Sequence, residues 1–364
     1  MKYINTLIKP TNKCNMRCKY CFAEKYGYDS SILEMKKLKK YLTLLSKKYD
    51  YINLIWHGGE PLLVSLDYYA EIYDFCKSLD SNFIYSLQTN GTLLNTTVIN
   101  FFSKNNTNIG LSFDGLCNEQ TRGNTQKIIN NIKLAQFNGV HLGAILVVNQ
   151  NNVEDLISEY EYFKSLKLGM KMNPMFMDGA ANENSFLRLN PDQYIKQFIN
   201  FFKYWSFDKE CNINVSNCTE ILDLILNKKS NVCTNNSCLG KWLCLDSNGD
   251  MYPCDRLCLP NYKLGNIDNI ESIDSIYESK NFVSLLQDSV YRRRECMAKC
   301  EIFENCYGGC NANAILYRNE PTNISCHIHK EILIAIKEYI SLFYNNFDHY
   351  DLNPQLSKKL ILRR

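Results

Sequence analysis

Apolar positions in the amino-terminal half of the chain follow two periods in turn. Short runs rich in β-branched and aromatic residues, each the length of one strand, lie at Tyr3–Lys9, Tyr51–His57, Phe83–Thr89, Asn108–Phe113, Val140–Val148 and Gly169–Met175. Between them the apolar residues recur at helical spacing over Leu33–Lys48, Leu66–Leu79, Thr96–Lys104, Thr125–Phe137 and Val153–Leu166, and after the last strand over Pro191–Trp205. Strands that return every 30 residues or so have the spacing of a βαβ unit. Six such units in series predict an α/β fold, a partial (β/α)6 TIM-like barrel, with function at the C-terminal strand ends. An open doubly wound sheet carries the same periodicity, so the pattern leaves both open.

The periodicity stops near Phe207. Residues 1–206 read as the barrel, 207–232 as a bridging region, and 233–347 as a loop-rich, cysteine-rich domain with one helix at Ile328–Phe343. A basic tail, 348–364, ends in KKLILRR. The chain has 17 cysteines among 364 residues, and eleven of them fall between Cys211 and Cys310. A net charge of +3 gives no basic surface for nucleic acid or membrane. The start of the chain lacks the apolar core of a signal peptide, and no run is long enough for a membrane span. A cytoplasmic location is expected, where thiols stay reduced and serve as metal or catalytic ligands rather than crosslinks. Only five histidines accompany them, a poor fit to zinc chemistry built on histidine.

The loop after the first strand holds Cys14, Cys18 and Cys21 as C-x3-C-x2-C. Closed zinc sites need four ligands, so a zinc knuckle here would need a remote fourth. An iron–sulfur cube held by three thiolates keeps one iron open to an exogenous ligand. With Tyr20 before its third cysteine, the segment resembles the signature of the radical S-adenosylmethionine (radical SAM) enzymes. The resemblance extends along the chain in order. Gly58-Gly59-Glu60-Pro61 after strand two is similar to the family's GGEP motif, with Glu60 an acceptor for the methionine ammonium and the glycines admitting close backbone approach. It implies further that Gln88, Thr89, Asn90, Ser112 and Asp114 line the ribose side and that Arg122 pairs with the methionine carboxylate. In isolation, N-G-T and D-G are ordinary turns.

The second half holds Cys238-x10-Gly249-x4-Cys254, then Cys296-x3-Cys300-x5-Cys306-x3-Cys310, then Cys326. This resembles the SPASM extension of radical SAM enzymes that modify peptides and proteins, apart from one extra residue between Cys296 and Cys300. The resemblance implies three 4Fe–4S clusters: one that binds S-adenosylmethionine and two auxiliary ones. Cys233, Cys238, Cys254 and Cys310 would hold the first auxiliary cluster, with Cys244 competing with Cys233. Cys296, Cys300, Cys306 and Cys326 would hold the second. A two-zinc ribbon would use the same thiolates. Asp255 follows Cys254 in Y-P-C-D, where the similar anaerobic sulfatase-maturating enzymes carry a catalytic base.

The family's chemistry is hydrogen abstraction by a 5′-deoxyadenosyl radical. H-G-G-E-P-L with C-K-Y-C-F-A resembles maturases of ribosomally made peptides, which implies thioether or carbon–carbon crosslinking as the first expectation. S-L-Q-T-N-G-T and Y-P-C-D resemble the sulfatase-maturating enzymes, which oxidise Cys or Ser to formylglycine; this is the alternative. A non-catalytic iron–sulfur carrier or zinc scaffold is a third reading. Implied partners are a peptide or protein substrate with or without a leader, a separate leader-binding protein, and a flavodoxin- or ferredoxin-type electron donor.

Overall fold

Residues 1–26, 30–227, 233–235, 238–317, 324–343 and 350–361 are described by a computed structural model. Six strands arise where the apolar runs were read: β1 (Tyr3–Ile8), β2 (Tyr51–Trp56), β3 (Asn82–Thr89), β4 (Thr107–Ser112), β5 (Gly143–Val148) and β6 (Gly169–Pro174). Each pairs in parallel with the next, and a helix connects every consecutive pair. The shared register puts Ile8 beside Trp56 and Trp56 beside Leu87. The loops beginning at Lys9, His57, Asn90 and Phe113 therefore gather at one end of the sheet. Strand β5 starts later than the apolar run. Gly139 turns the chain at φ 74°, and the Val140 amide bonds back to Ala135, so Val140 closes the preceding helix instead of opening the strand.

Trp56 shows how the barrel is packed. Its ring is buried edge-on against Tyr69 at 4.9 Å, and its indole N–H donates to the Tyr73 hydroxyl. A large aromatic with its one polar atom satisfied is a strong core element.

The cysteine-rich region differs from the loop-rich expectation. It adds β7 (Trp242–Leu245), β8 (Asp250–Tyr252) and β9 (Gly265–Asn266), giving a nine-stranded sheet in the order β6–β5–β4–β3–β2–β1–β7–β8–β9. Strand β7 runs parallel to β1, so β1 has a partner on both sides and no open edge. A 20-residue helix, Lys280–Lys299, also lies in this region. Leu243, Leu245, Met251, Ile267, Ile276 and Phe282 belong to the same buried cluster as Ile4, Ile8, Leu38 and Leu42. The region needs little core of its own because it shares the barrel's.

The bridging segment contains a helix, Ser216–Asn227, and the expected terminal helix begins earlier, at Ile324–Ser341. That helix packs on Pro191–Ser206, with Tyr339 edge-on to Phe202 and hydrogen-bonded to Ser206. The basic tail includes a helix as well, Pro354–Ile361. Lys359 pairs with Asp223, and Leu356 and Leu360 are buried. The rest of the basic run, Leu362 to Arg364, lies outside the described residues, as do 228–232 of the bridge. Among the described residues no helix is long and apolar enough to cross a membrane.

Candidate active site

Strand β1 leads into the loop of Cys14, Cys18 and Cys21, and the loop after β2 clamps it. The Gly59 amide donates to Thr11 O at 3.1 Å and the Glu60 amide to Lys13 O at 2.8 Å. A Cβ on Gly59 would lie 2.2 Å from Lys13 O, and one on Gly58, at φ +118°, 2.6 Å from Thr11 O. These glycines let the loop after β2 approach the cysteine loop closely. Gly179 acts likewise on the far side, its Cβ position 2.4 Å from Cys21 O.

Glu60 is fully buried. Its carboxylate accepts from the Thr89 hydroxyl at 2.7 Å, the Asn90 amide at 2.8 Å and the Leu62 amide at 3.1 Å. Burial raises its pKa while those donors oppose the rise. A carboxylate has about four acceptor positions; three are filled, and the fourth suits an ammonium. Around Cys14, Asn90 Nδ2 donates to Asn15 Oδ1 and lies 4.0 Å from the sulfur, while Thr92 bonds both asparagines. Asn15 and Thr92 went unnoticed in the sequence, where they read as loop polars.

Both carboxylate oxygens of Asp114 accept hydrogen bonds from within. Tyr20 and Thr121 hydroxyls donate to Oδ2 at 2.6 Å each, and the Val147 amide donates to Oδ1. Asp114, expected on the ribose side, anchors Tyr20, which accepts from Arg122 Nη1 at 2.9 Å, and with three donors it keeps one acceptor position, as Glu60 does. Tyr20 thus spends its hydroxyl on holding Arg122. Arg122 Nε is buried without a hydrogen-bond partner, a donor open to an anionic ligand. Gln88 donates to Ser112 at 3.0 Å, with both half-buried. Gly110 makes room for Gln88, whose Oε1 lies 2.6 Å from the Cβ position.

Glu159 supports the S-x-D-G turn from below by accepting from the Leu116 amide. Gly115 cannot carry a side chain there, since its Cβ would meet Glu159 at 1.8 Å. Burial pushes the Glu159 carboxyl up to about 7, against the pull of the Leu116 amide. Between the unfolded value of about 4.3 and that value, the folded chain keeps a proton that the unfolded chain has lost. Stability therefore falls as pH rises through this window, by on the order of 3 kcal/mol. Glu159→Gln is expected to flatten the decline in melting temperature between pH 5 and 8. An equal decline in both proteins would clear Glu159 of the effect.

Eight further cysteines, Cys233, Cys238, Cys254, Cys310, Cys296, Cys300, Cys306 and Cys326, fall into two groups. Cys233 and Cys254 each feel the charges of Cys238 and Cys310; Cys306 feels Cys326, Cys300 and Cys296. The resemblance implies the same grouping for the two auxiliary clusters. Cys244, the competitor for Cys233, instead faces Cys258 and Lys9. Burial pushes Cys18 and Cys306 up to about 11 and Cys233 up to about 12. Thiolates that costly when bare fit cationic iron as their counter-charge. Among the described residues no three such side chains are spaced to hold a single ion; a cube asks less, since each thiolate meets its own iron.

Asp255 follows Cys254 at the start of the turn Asp255–Leu257. It acts electrostatically on Cys233 and Cys254 on one side, and on His57 and Lys9 on the other. It is half-buried. His57 Nδ1 is buried with no hydrogen-bond partner. Burial depresses the His57 pKa; Asp255 opposes this and Lys9 adds to it. Lys9 is 2% exposed; burial works against its charge, yet Cys244, Cys258, Asp246 and Asp255 hold its pKa above the usual lysine range. A lysine inside an apolar strand was a legible signal that the sequence reading passed over. Asn12 ties the cysteine loop to the second region through Asp246 at 2.7 Å and Ser247 at 3.1 Å.

Two family models match this chain: the radical SAM superfamily over residues 8–163, and the SPASM iron–sulfur cluster-binding domain over 233–307. A cysteine-type anaerobic sulfatase-maturating enzyme of Clostridium novyi is 28% identical over 337 residues, covering 86% of this chain and 89% of its own. The structure of native anSMEcpe with bound AdoMet and Cp18Cys peptide is similar at a TM-score of 0.79 and 26% identity, over 93% of this chain and 99% of that one. SuiB of Streptococcus suis, bound to its precursor peptide SuiA, has a TM-score of 0.58 at 17% identity, over 88% and 74%. That last likeness is one of fold.

Proposed function

Because this chain belongs to the radical SAM enzymes that carry a SPASM extension, we propose that it oxidises a cysteine of a protein substrate to formylglycine. Its cofactors are 4Fe–4S clusters and S-adenosylmethionine, which together supply a 5′-deoxyadenosyl radical when bound. Cys14, Cys18 and Cys21 would hold the cluster that binds S-adenosylmethionine. Glu60 would take the methionine ammonium in its open acceptor position, and the unpartnered Nε of Arg122 the carboxylate. Gln88 and Ser112 would face the ribose, with Thr89 and Asn90 fixing Glu60. The two cysteine quartets, Cys233, Cys238, Cys254 and Cys310, and Cys296, Cys300, Cys306 and Cys326, would hold the auxiliary clusters.

The observation that carries the substrate reading is the setting of Asp255. Among the described residues no hydrogen bond engages its carboxylate, and it is poised beside Cys233 and Cys254. Loss of a substrate Cβ hydrogen leaves a carbon radical. If Asp255 takes the thiol proton while an auxiliary cluster, which Cys233, Cys238, Cys254 and Cys310 would hold, supplies the one-electron acceptor, a thioaldehyde results, which water converts to the aldehyde with release of hydrogen sulfide. Similarity to a cysteine-type maturating enzyme over most of both chains supports this reading over peptide crosslinking, the first expectation from H-G-G-E-P-L.

Mass spectrometry of a cysteine-containing sulfatase peptide after anaerobic turnover tests it. The expected product exchanges sulfur for oxygen with loss of two hydrogens; loss of two hydrogens with sulfur retained would mean a crosslink. Asp255→Asn is expected to keep releasing 5′-deoxyadenosine while product formation falls by roughly 10²–10⁴-fold. Product at the native rate would rule Asp255 out as the base.

A further inference from the structure

Two cysteines stand outside all three cluster sets yet touch each other. Cys244 lies on β7 and is fully buried; Cys258 follows the turn Asp255–Leu257 and is 6% exposed. Their sulfurs are 3.7 Å apart, enclosed by Leu7 and Tyr252. Lys9 Nζ reaches Cys258 Sγ at 3.3 Å and Asp246 at 3.7 Å, so the pair sits against a buried ion pair at the junction of barrel and cysteine-rich region. Neither thiol has a role in the reaction derived above.

We propose that Cys244 and Cys258 form a reversible disulfide site, closed by low-molecular-weight disulfides, that staples β7 to the turn carrying Asp255. To close, the sulfurs must approach from 3.7 Å to the bonded distance of about 2.05 Å. Cys258, the more accessible, attacks the small disulfide; a mixed disulfide forms and one small thiol leaves with the proton. Cys244 then attacks the Cys258 sulfur, and a second small thiol leaves with the second proton. One small disulfide is reduced to two thiols for each protein disulfide formed. The packed walls favour closure, because Leu7 and Tyr252 crowd the mixed disulfide more than the internal bond that replaces it. Oxidation would tie down the Asp255 turn and shield both sulfurs from irreversible steps to sulfinic and sulfonic acid. The site is independent of which peptide the enzyme modifies.

The test uses the anaerobically reconstituted holoenzyme, incubated with oxidised glutathione, acid-quenched, unfolded, alkylated and digested. The expected result is one linked peptide pair, Cys244 to Cys258, two hydrogens lighter than the sum of its parts and separated again by dithiothreitol. In Cys244→Ser the exchange is expected to stop at a glutathione adduct on Cys258. Recovery of both cysteines alkylated, across oxidant levels that thiolate other cysteines of the chain, would overturn the proposal. So would a link from Cys258 to Cys254.

Discussion

Replacing Cys14, Cys18 and Cys21 together by alanine is expected to abolish 5′-deoxyadenosine formation while leaving about eight of roughly twelve iron atoms bound. The three thiols belong to a loop held by backbone bonds from Gly59 and Glu60, and those bonds do not depend on the cysteine side chains. Loss of the thiols should therefore remove one cluster without unfolding the barrel. The cysteines proposed for the auxiliary clusters stand on other elements: Cys254 after β8, Cys296 on the helix Lys280–Lys299, and Cys310 before a short helix. Iron analysis with a nucleoside assay reads both halves of the outcome. Persistent cleavage of S-adenosylmethionine, or loss of nearly all iron, would break the division into one substrate-binding and two auxiliary centres.

Gly59→Ala should be nearly as damaging without removing any ligand. The new methyl would meet Lys13 O at 2.2 Å and Asn12 O at 2.5 Å. Both are backbone atoms, so neither can rotate away; the two loops must separate. Glu60 follows directly and would move with its loop, losing its register against Thr89 and Asn90. A displacement of about 1 Å at a positioning residue costs on the order of 10² in rate, and a similar loss in S-adenosylmethionine affinity is expected by calorimetry. Gly123→Ala is the control: that Cβ meets nothing within 4 Å, although its φ of +81° adds some backbone strain. If the two variants bound the cofactor alike, the clamp would be irrelevant to it.

The legible parts of the site were those in which chemistry is written as spacing. Three thiols in one loop, a carboxylate after paired glycines and a cysteine ladder need no knowledge of neighbours. Roles shared between distant segments were not legible. Asp114 reads like a ribose contact, and nothing local records that donors from Tyr20, Thr121 and Val147 also hold it. Lys9, Asn15, Thr92 and Glu159 acquire meaning only through partners many residues away.

From its order of residues alone, this chain specifies six strand-and-helix units and the spacing of its cysteines. Strand pleating and helical pitch act over a few residues, and a motif carries its ligand spacing with it. Tertiary packing decided the rest: that β7 seals the free edge of β1, that one core serves both regions, and that Lys9, His57, Asp255, Cys244 and Cys258 share a junction. Burial and long-range pairing are properties of surfaces brought together, and no local pattern records which surfaces will meet.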